Sequence, residues 1–177
     1  MLVHINSYPG VGKLTIGRAL ADRIGGKLLD NHSIYNIAFA LTEFRSPAFY
    51  DTVRAVRDLA YRRILELPAT TPVILTNWYS KGSSWGEENW DEVISLARRR
   101  PSTLAVVILS CSPDENERRI QSSWRDAMRK PRDVTLVNSN RDSRPLIDRG
   151  GDRVLHLDVS NLSAEAAAMA IAQWLAK

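Results

Sequence analysis

The stretch Ile5–Thr15, INSYPGVGKLT, constrains this chain more than any other: a short apolar strand, Leu2–Asn6, runs straight into a glycine-rich turn that closes on a lysine. A helix follows from Lys13 to Ile24, because Leu14, Ile16, Leu20 and Ile24 recur at helical intervals ahead of a Gly25-Gly26 stop. Such a turn is either a purely steric connection or a cradle for an anion. The strict phosphate-loop pattern G-x-x-x-x-G-K-[ST] fails at two places, since Ser7 stands where the first glycine belongs and Leu14 follows the lysine, with Thr15 one further on. The physical parts remain. The turn Pro9-Gly10-Val11-Gly12 is able to direct its backbone N–H groups inward, the helix presents its positive end, and Lys13 reaches toward outer phosphates. Pro9, Gly10, Val11, Gly12, Lys13, Leu14 and Thr15 are therefore the expected nucleotide-binding residues.

The remainder alternates strand with helix. "KLLD" reads as a second strand ending at Asp30, "HSIYNIAFAL" as a helix, and Ser46-Pro47 as a capped start for another. In that helix Phe49, Val53, Val56, Ala60, Ile64 and Leu67 share one face, with Arg54 and Tyr61 beside it, and Pro68 and Pro72 end it. "PVILTN" is a third strand, of the branched apolar kind buried on both faces. "SWGE", Ser84–Glu87, fits a capping box for a helix to about Arg99, and Leu104–Cys111 is the clearest strand. "SPDE", Ser112–Glu115, opens a helix through Arg118, Arg119 and Trp124. Lys130–Gly151 lacks periodicity and reads as a loop, "RVLHLDVS" is a fifth strand, and Ser163 caps a closing helix over Ala164–Trp174. Five such alternations predict an α/β three-layer sandwich, a parallel sheet between helices.

Composition sets the limits. A chain of 177 residues fits one domain over 1–177, and 44% hydrophobic with 25% charged residues is ordinary for a water-soluble globule. No apolar run reaches the roughly 18 residues of a membrane span, and the start lacks the charge-then-apolar order of a secretory signal. The lone Cys111 forms no internal disulfide, which suits a reducing, cytoplasmic setting. The net charge of +4 comes from 19 arginines and five lysines against 20 acids, pointing to an anionic partner without naming it. His4, His156 and Cys111 have no metal-ligand spacing.

The run PGVGKLT resembles the PGxGKxT loops of P-loop kinases in the nucleoside-monophosphate-kinase and shikimate-kinase-like branch, where the threonine also comes second after the lysine. The order of elements, Asp30 and the stretch LDVSNLSAEAA extend the likeness over nearly the whole chain. The resemblance implies the P-loop NTPase fold with five parallel strands, ATP with Mg2+, and phosphoryl transfer to a hydroxyl or phosphate on a small-molecule or nucleotide acceptor. In that branch the second strand often ends in D-x-D. Here it reads Asp30-Asn31-His32, so Asp30 or His32 accepts the hydroxyl proton, and Asp30 is favoured. Thr15 and Asp30 are the candidates for holding the metal indirectly.

Arg45, Arg54 and Arg57 are candidate acceptor-binding residues, since an anionic acceptor needs a guanidinium in this region. The "FR" pair and post-strand glycine run of shikimate kinases are missing, which argues against shikimate as acceptor. Aromatics in TNWYSKGSSW either stack on an acceptor ring or pack on a neighbouring helix. The resemblance further implies a small mobile lid, at about 117–150, with Arg118, Arg119 or Arg125 neutralising the transferred group and Arg144 near its end. Neither the third nor the fourth strand ends in the Asp of a Walker-type motor or switch NTPase. A basic RNA-binding or regulatory NTPase is the competing reading, and no interleaved basic and aromatic signature supports it.

Overall fold

The structure, a computed structural model, describes residues 1–121 and 144–177. Among the described residues eleven elements follow in order: β1 (Leu2–Ser7), α1 (Lys13–Ile24), β2 (Lys27–Asp30), α2 (Asn31–Leu41), α3 (Pro47–Glu66), β3 (Val73–Asn77), α4 (Ser84–Arg99), β4 (Leu104–Ser110), α5 (Pro113–Ile120), β5 (Arg153–Asp158) and α6 (Ala164–Leu175). The five strands form one parallel sheet in the order β2-β3-β1-β4-β5. The α/β sandwich with its five-stranded parallel sheet is thus observed. Among the described residues no helix is long and apolar enough to cross a membrane.

Strand alternation sorts side chains between two cores. Val3 and Ile5 of β1 join Ile16 and Leu20 of α1 and Ala167 and Ile171 of α6 on one face. Leu2 joins Tyr61 and Ile64 of α3 and Trp90, Val93 and Leu96 of α4 on the other. Each fully buried side chain of this size contributes about 1.5–3 kcal/mol, so the two cores together hold the sheet between its helices. A third, smaller cluster joins α2 to α3 through Ile34, Ala38, Phe49 and Val53.

The chain leaves β1 toward β2 and leaves β4 toward β5, on opposite sides, although β1 and β4 are neighbours. That reversal opens a crevice at the carboxyl ends of the two central strands.

Local signals place most boundaries. Ser46, Ser112 and Ser163 each accept a backbone N–H three residues on, and Pro47 and Pro113 occupy first-turn positions. Two expectations change. The cap of α4 is Ser83, whose hydroxyl accepts from Gly86, rather than Ser84. An earlier start lets Gly86 lie flat on residue 80, where an added Cβ would come within 3.0 Å of the Ser80 carbonyl. In α3 the fully buried stripe is Phe49, Val53, Arg57, Tyr61 and Ile64, with Val56 half-buried against the α2–α3 cluster and Ala60 half-buried; Arg57 and Tyr61 join the stripe, and α4 supplies Asn89 as a buried partner for Arg57. The described part of α5 ends at Ile120; Trp124, Arg125 and the predicted lid and loop from 122 to 143 lie outside the described residues.

Candidate active site

The glycine turn leaves the buried end of β1 and enters α1 through two left-handed glycines, Gly10 at φ 90 and Gly12 at φ 108. L side chains are strained at these angles, so the sequence permits this turn only where glycine stands. Gly12 caps α1 without a side-chain hydrogen bond, and the first turn of the helix has no acidic residue. The positive helix end is therefore left for an anion to meet. The Lys13 ammonium donates to the Ser7 and Tyr8 carbonyls, each at 3.3 Å. These two contacts are long and to neutral acceptors, and a phosphate oxygen is a stronger partner than either.

Helix α5 presses on the turn from one side. The Asn116 amide donates to the Pro9 carbonyl at 3.0 Å, and Arg119 donates through Nη1 to the Val11 carbonyl at 2.8 Å. Arg119 also donates to the Val159 carbonyl at 2.8 Å and to the Glu115 carboxylate. Arg118 pairs with the same Glu115, at 2.7 Å, with its side chain largely in water. Hydrogen bonds from Arg118 and then Arg119 hold the Glu115 carboxyl down at about 2. Glu115 was legible as a helix-start acid; its service as an anchor for two arginines was not.

Asp30 closes β2 at the same carboxyl edge. The register pairs it with Thr76, whose hydroxyl donates to Oδ1 at 2.7 Å. Its Oδ2 accepts from the His32 backbone N–H at 3.1 Å, capping α2. His32 stands half-buried in the first turn of α2. A buried polar chain runs beside them: His4 Nε2 meets Asn77 Oδ1 at 3.0 Å, and Asn77 donates to Asn31 Oδ1 at 2.9 Å. Burial lowers the His4 pKa to about 4, so the ring is neutral near pH 7. Thr76 and Asn77 end an apolar strand in polar residues, and that break in pattern is the one local signal that would have flagged them.

The arginines expected near an acceptor are held by other groups. Arg54 makes a bidentate pair with Glu88, at 2.8 and 2.9 Å, and lies over Trp85 at 5.1 Å. Arg57 is buried and donates to Asn89 at 2.9 Å, while Arg45, itself left-handed at φ 65, lies over the Phe44 ring at 5.0 Å. The aromatics after β3 pack inward. Tyr79 stacks on His4 at 5.7 Å, and Trp85 donates to the Tyr35 hydroxyl at 2.8 Å.

Asn6 joins the walls of the crevice. Its amide donates to the Tyr79 and Ile147 carbonyls at 2.8 and 2.9 Å, and its oxygen accepts from the Tyr79 N–H at 2.9 Å. The Tyr8 hydroxyl adds a bond to the Arg144 carbonyl at 2.8 Å. A shallow groove of about 260 Å³ lined by Lys27, Leu28, Arg63, Ile64 and Val73 lies at the opposite, amino-terminal edge of β2 and β3. It is separate from this chemistry. Among the described residues no cluster of three or more His, Cys, Asp or Glu forms a metal site.

No protein-family model matches the sequence, and no curated protein does. Solved structures match along almost its full length. A structure from Chloroflexus aurantiacus aligns at 21% identity over 99% of this chain and 95% of its own, with a TM-score of 0.67. A gluconokinase from Sinorhizobium meliloti aligns at 17% identity over 98% of this chain and 94% of its own, TM-score 0.57. A shikimate kinase from Bacteroides thetaiotaomicron aligns at 16% over 100% and 99%, TM-score 0.59. At these identities the likeness is one of fold, and it agrees with the sheet order and glycine turn described above: the chain has the fold of the P-loop kinases of the shikimate-kinase-like branch.

Proposed function

We propose that this protein is an ATP-dependent kinase that transfers the γ-phosphoryl group to a hydroxyl or phosphate of a small acceptor. One observation carries the reading. An uncapped helix start behind Gly10 and Gly12, with Lys13 in its first turn, occupies the carboxyl edge of a sheet that also ends in Asp30. The donor set suits a polyphosphate: backbone N–H groups, one ammonium and a first turn free of acids. It also suits a magnesium ion carried by that polyphosphate, since Thr15 and Asp30 offer a hydroxyl and one carboxylate, and hard oxygens are what the ion takes. The bound nucleotide and ion would supply the phosphoryl group and a counter-charge for it.

The chain's own groups orient and deprotonate. Lys13 steers the outer phosphates once it exchanges its two carbonyl contacts for charged ones. Asp30, fixed by Thr76 and by the His32 amide, keeps lone pairs for an acceptor hydroxyl and takes its proton. Positioning and charge carry most of the rate in such chemistry.

The test is a set of candidate acceptors incubated with γ-labelled ATP, with wild-type and Lys13→Ala protein. Label should appear in one acceptor class with the wild type and vanish with the variant. Unchanged transfer by a folded Lys13→Ala protein would overturn the reading.

A further inference from the structure

We infer that α5 sets the orientation of the phosphate-binding amides, with Asn116 and Arg119 as positioning residues; the inference rests on the phosphate-cradle reading above. A trans peptide directs its carbonyl and the following N–H to opposite sides, and the described chain contains no cis bond. Asn116 holds the Pro9 carbonyl toward α5 at 3.0 Å, which turns the Gly10 N–H away from that helix. Arg119 holds the Val11 carbonyl toward α5 at 2.8 Å, which turns the Gly12 N–H away in the same manner. Alternate peptides are thus pinned from one side, and alternate N–H groups are presented on the other. Backbone N–H groups gathered on one side in this way contribute to an anion-binding concavity. Among the described residues neither the Gly10 nor the Gly12 N–H has an acceptor.

The pins are themselves held rigid. Asn116 is 1% exposed, and a Cβ added at Gly10 would come within 2.5 Å of both Asn116 Nδ2 and Ile120 Cγ1, so the turn and the helix touch without slack. Arg119 divides its remaining donors between Glu115 and the Val159 carbonyl, which ties the turn to the segment after β5 as well. The residue type at 116 matters. An asparagine amide donates to a carbonyl without placing negative charge beside a phosphate, whereas an aspartate there would set oxygen against oxygen and repel the ligand.

The test titrates ATP and inorganic tripolyphosphate into wild-type, Asn116→Asp, Arg119→Lys and Arg119→Gln proteins by calorimetry, with melting curves for each. Asn116→Asp and Arg119→Lys should each weaken both ligands by about tenfold or more while the protein still melts cooperatively. Arg119→Lys keeps the charge and loses the fork, so its loss reports geometry. In wild-type protein labelled with nitrogen-15, the Gly10 and Gly12 amide resonances should shift when tripolyphosphate is added; this readout stands even if a variant fails to fold. The inference is overturned if these resonances stay still, if the folded Asn116→Asp protein binds within about twofold of wild type, or if Arg119→Lys binds normally and Arg119→Gln does not. Wild-type protein that binds neither ligand would remove the kinase reading and the positioning roles together. Normal wild-type binding with unaffected variants would remove the positioning roles alone.

Discussion

The Asp30 carboxylate accepts the His32 amide with one oxygen and the Thr76 hydroxyl with the other, so it caps α2 while facing the crevice edge. Asparagine is as good a helix cap as aspartate but a far poorer base. Asp30→Asn keeps an oxygen for the His32 N–H and turns the Thr76 bond into one that the hydroxyl accepts, so it should lower the melting temperature by no more than about 4 °C and turnover by about a hundredfold or more. Equal losses of stability and turnover would reduce Asp30 to a cap. Thr76→Val removes one hydroxyl at constant shape and should lower turnover by about tenfold, since one hydrogen bond to a charged group is at stake. The place of Asp30 at the carboxyl edge of the sheet was legible, since an apolar strand ends on it. The contacts that Thr76 and Asn116 make were not, since their partners are 46 and 107 residues away in sequence, and only the folded register brings them together.

At the scale of elements, α3 ends on a device no local rule announces. Arg100, the C-cap of α4, is 2% exposed and donates to the carbonyls of Ile64, Leu67, Pro68 and Thr71. The Ile64 and Pro68 carbonyls also accept the Leu67 and Thr71 N–H groups, while among the described residues no backbone donor meets the Leu67 and Thr71 carbonyls, which lie at the end of α3 and in the turn beyond. Leaving the Leu67 and Thr71 carbonyls without a partner costs about 1–3 kcal/mol each, part of which water returns because both residues are only half-buried. Arg100→Met should cost on the order of 3 kcal/mol and lower the melting temperature by roughly 6–12 °C, as differential scanning calorimetry would register. Lysine at 100 should recover only a fraction, because it lacks the planar fork. A run of three arginines, Arg98–Arg100, gives no hint of which one turns inward. The serine caps, by contrast, are local chemistry and were readable, with α4 misplaced by one residue through a tertiary contact at Gly86.

At the scale of the molecule, the alternation of strands and helices made the α/β class plain, while the order β2-β3-β1-β4-β5 required the structure. The centre of that sheet also sets an acid limit. Burial lowers the His4 pKa from the usual 6.5 to about 4, with Asn77, Tyr79 and Trp90 as its surroundings. Between these values the unfolded chain binds more protons than the folded one, so stability is full above pH 6.5 and declines as pH falls toward 4. The loss amounts to about 3 kcal/mol at 1.36 kcal/mol per pH unit. Urea midpoints measured across that range should show the decline, and His4→Phe should flatten it; an equal slope in the variant would acquit His4.

Asn6 grips residues 79 and 147 with a single side-chain amide from the middle of the sheet. The two flanks of the cleft are consequently not independent modules. Anyone grafting a new loop onto either flank to change what the protein accepts inherits the other flank's geometry, and a successful graft will have to preserve the main-chain path at both grip points.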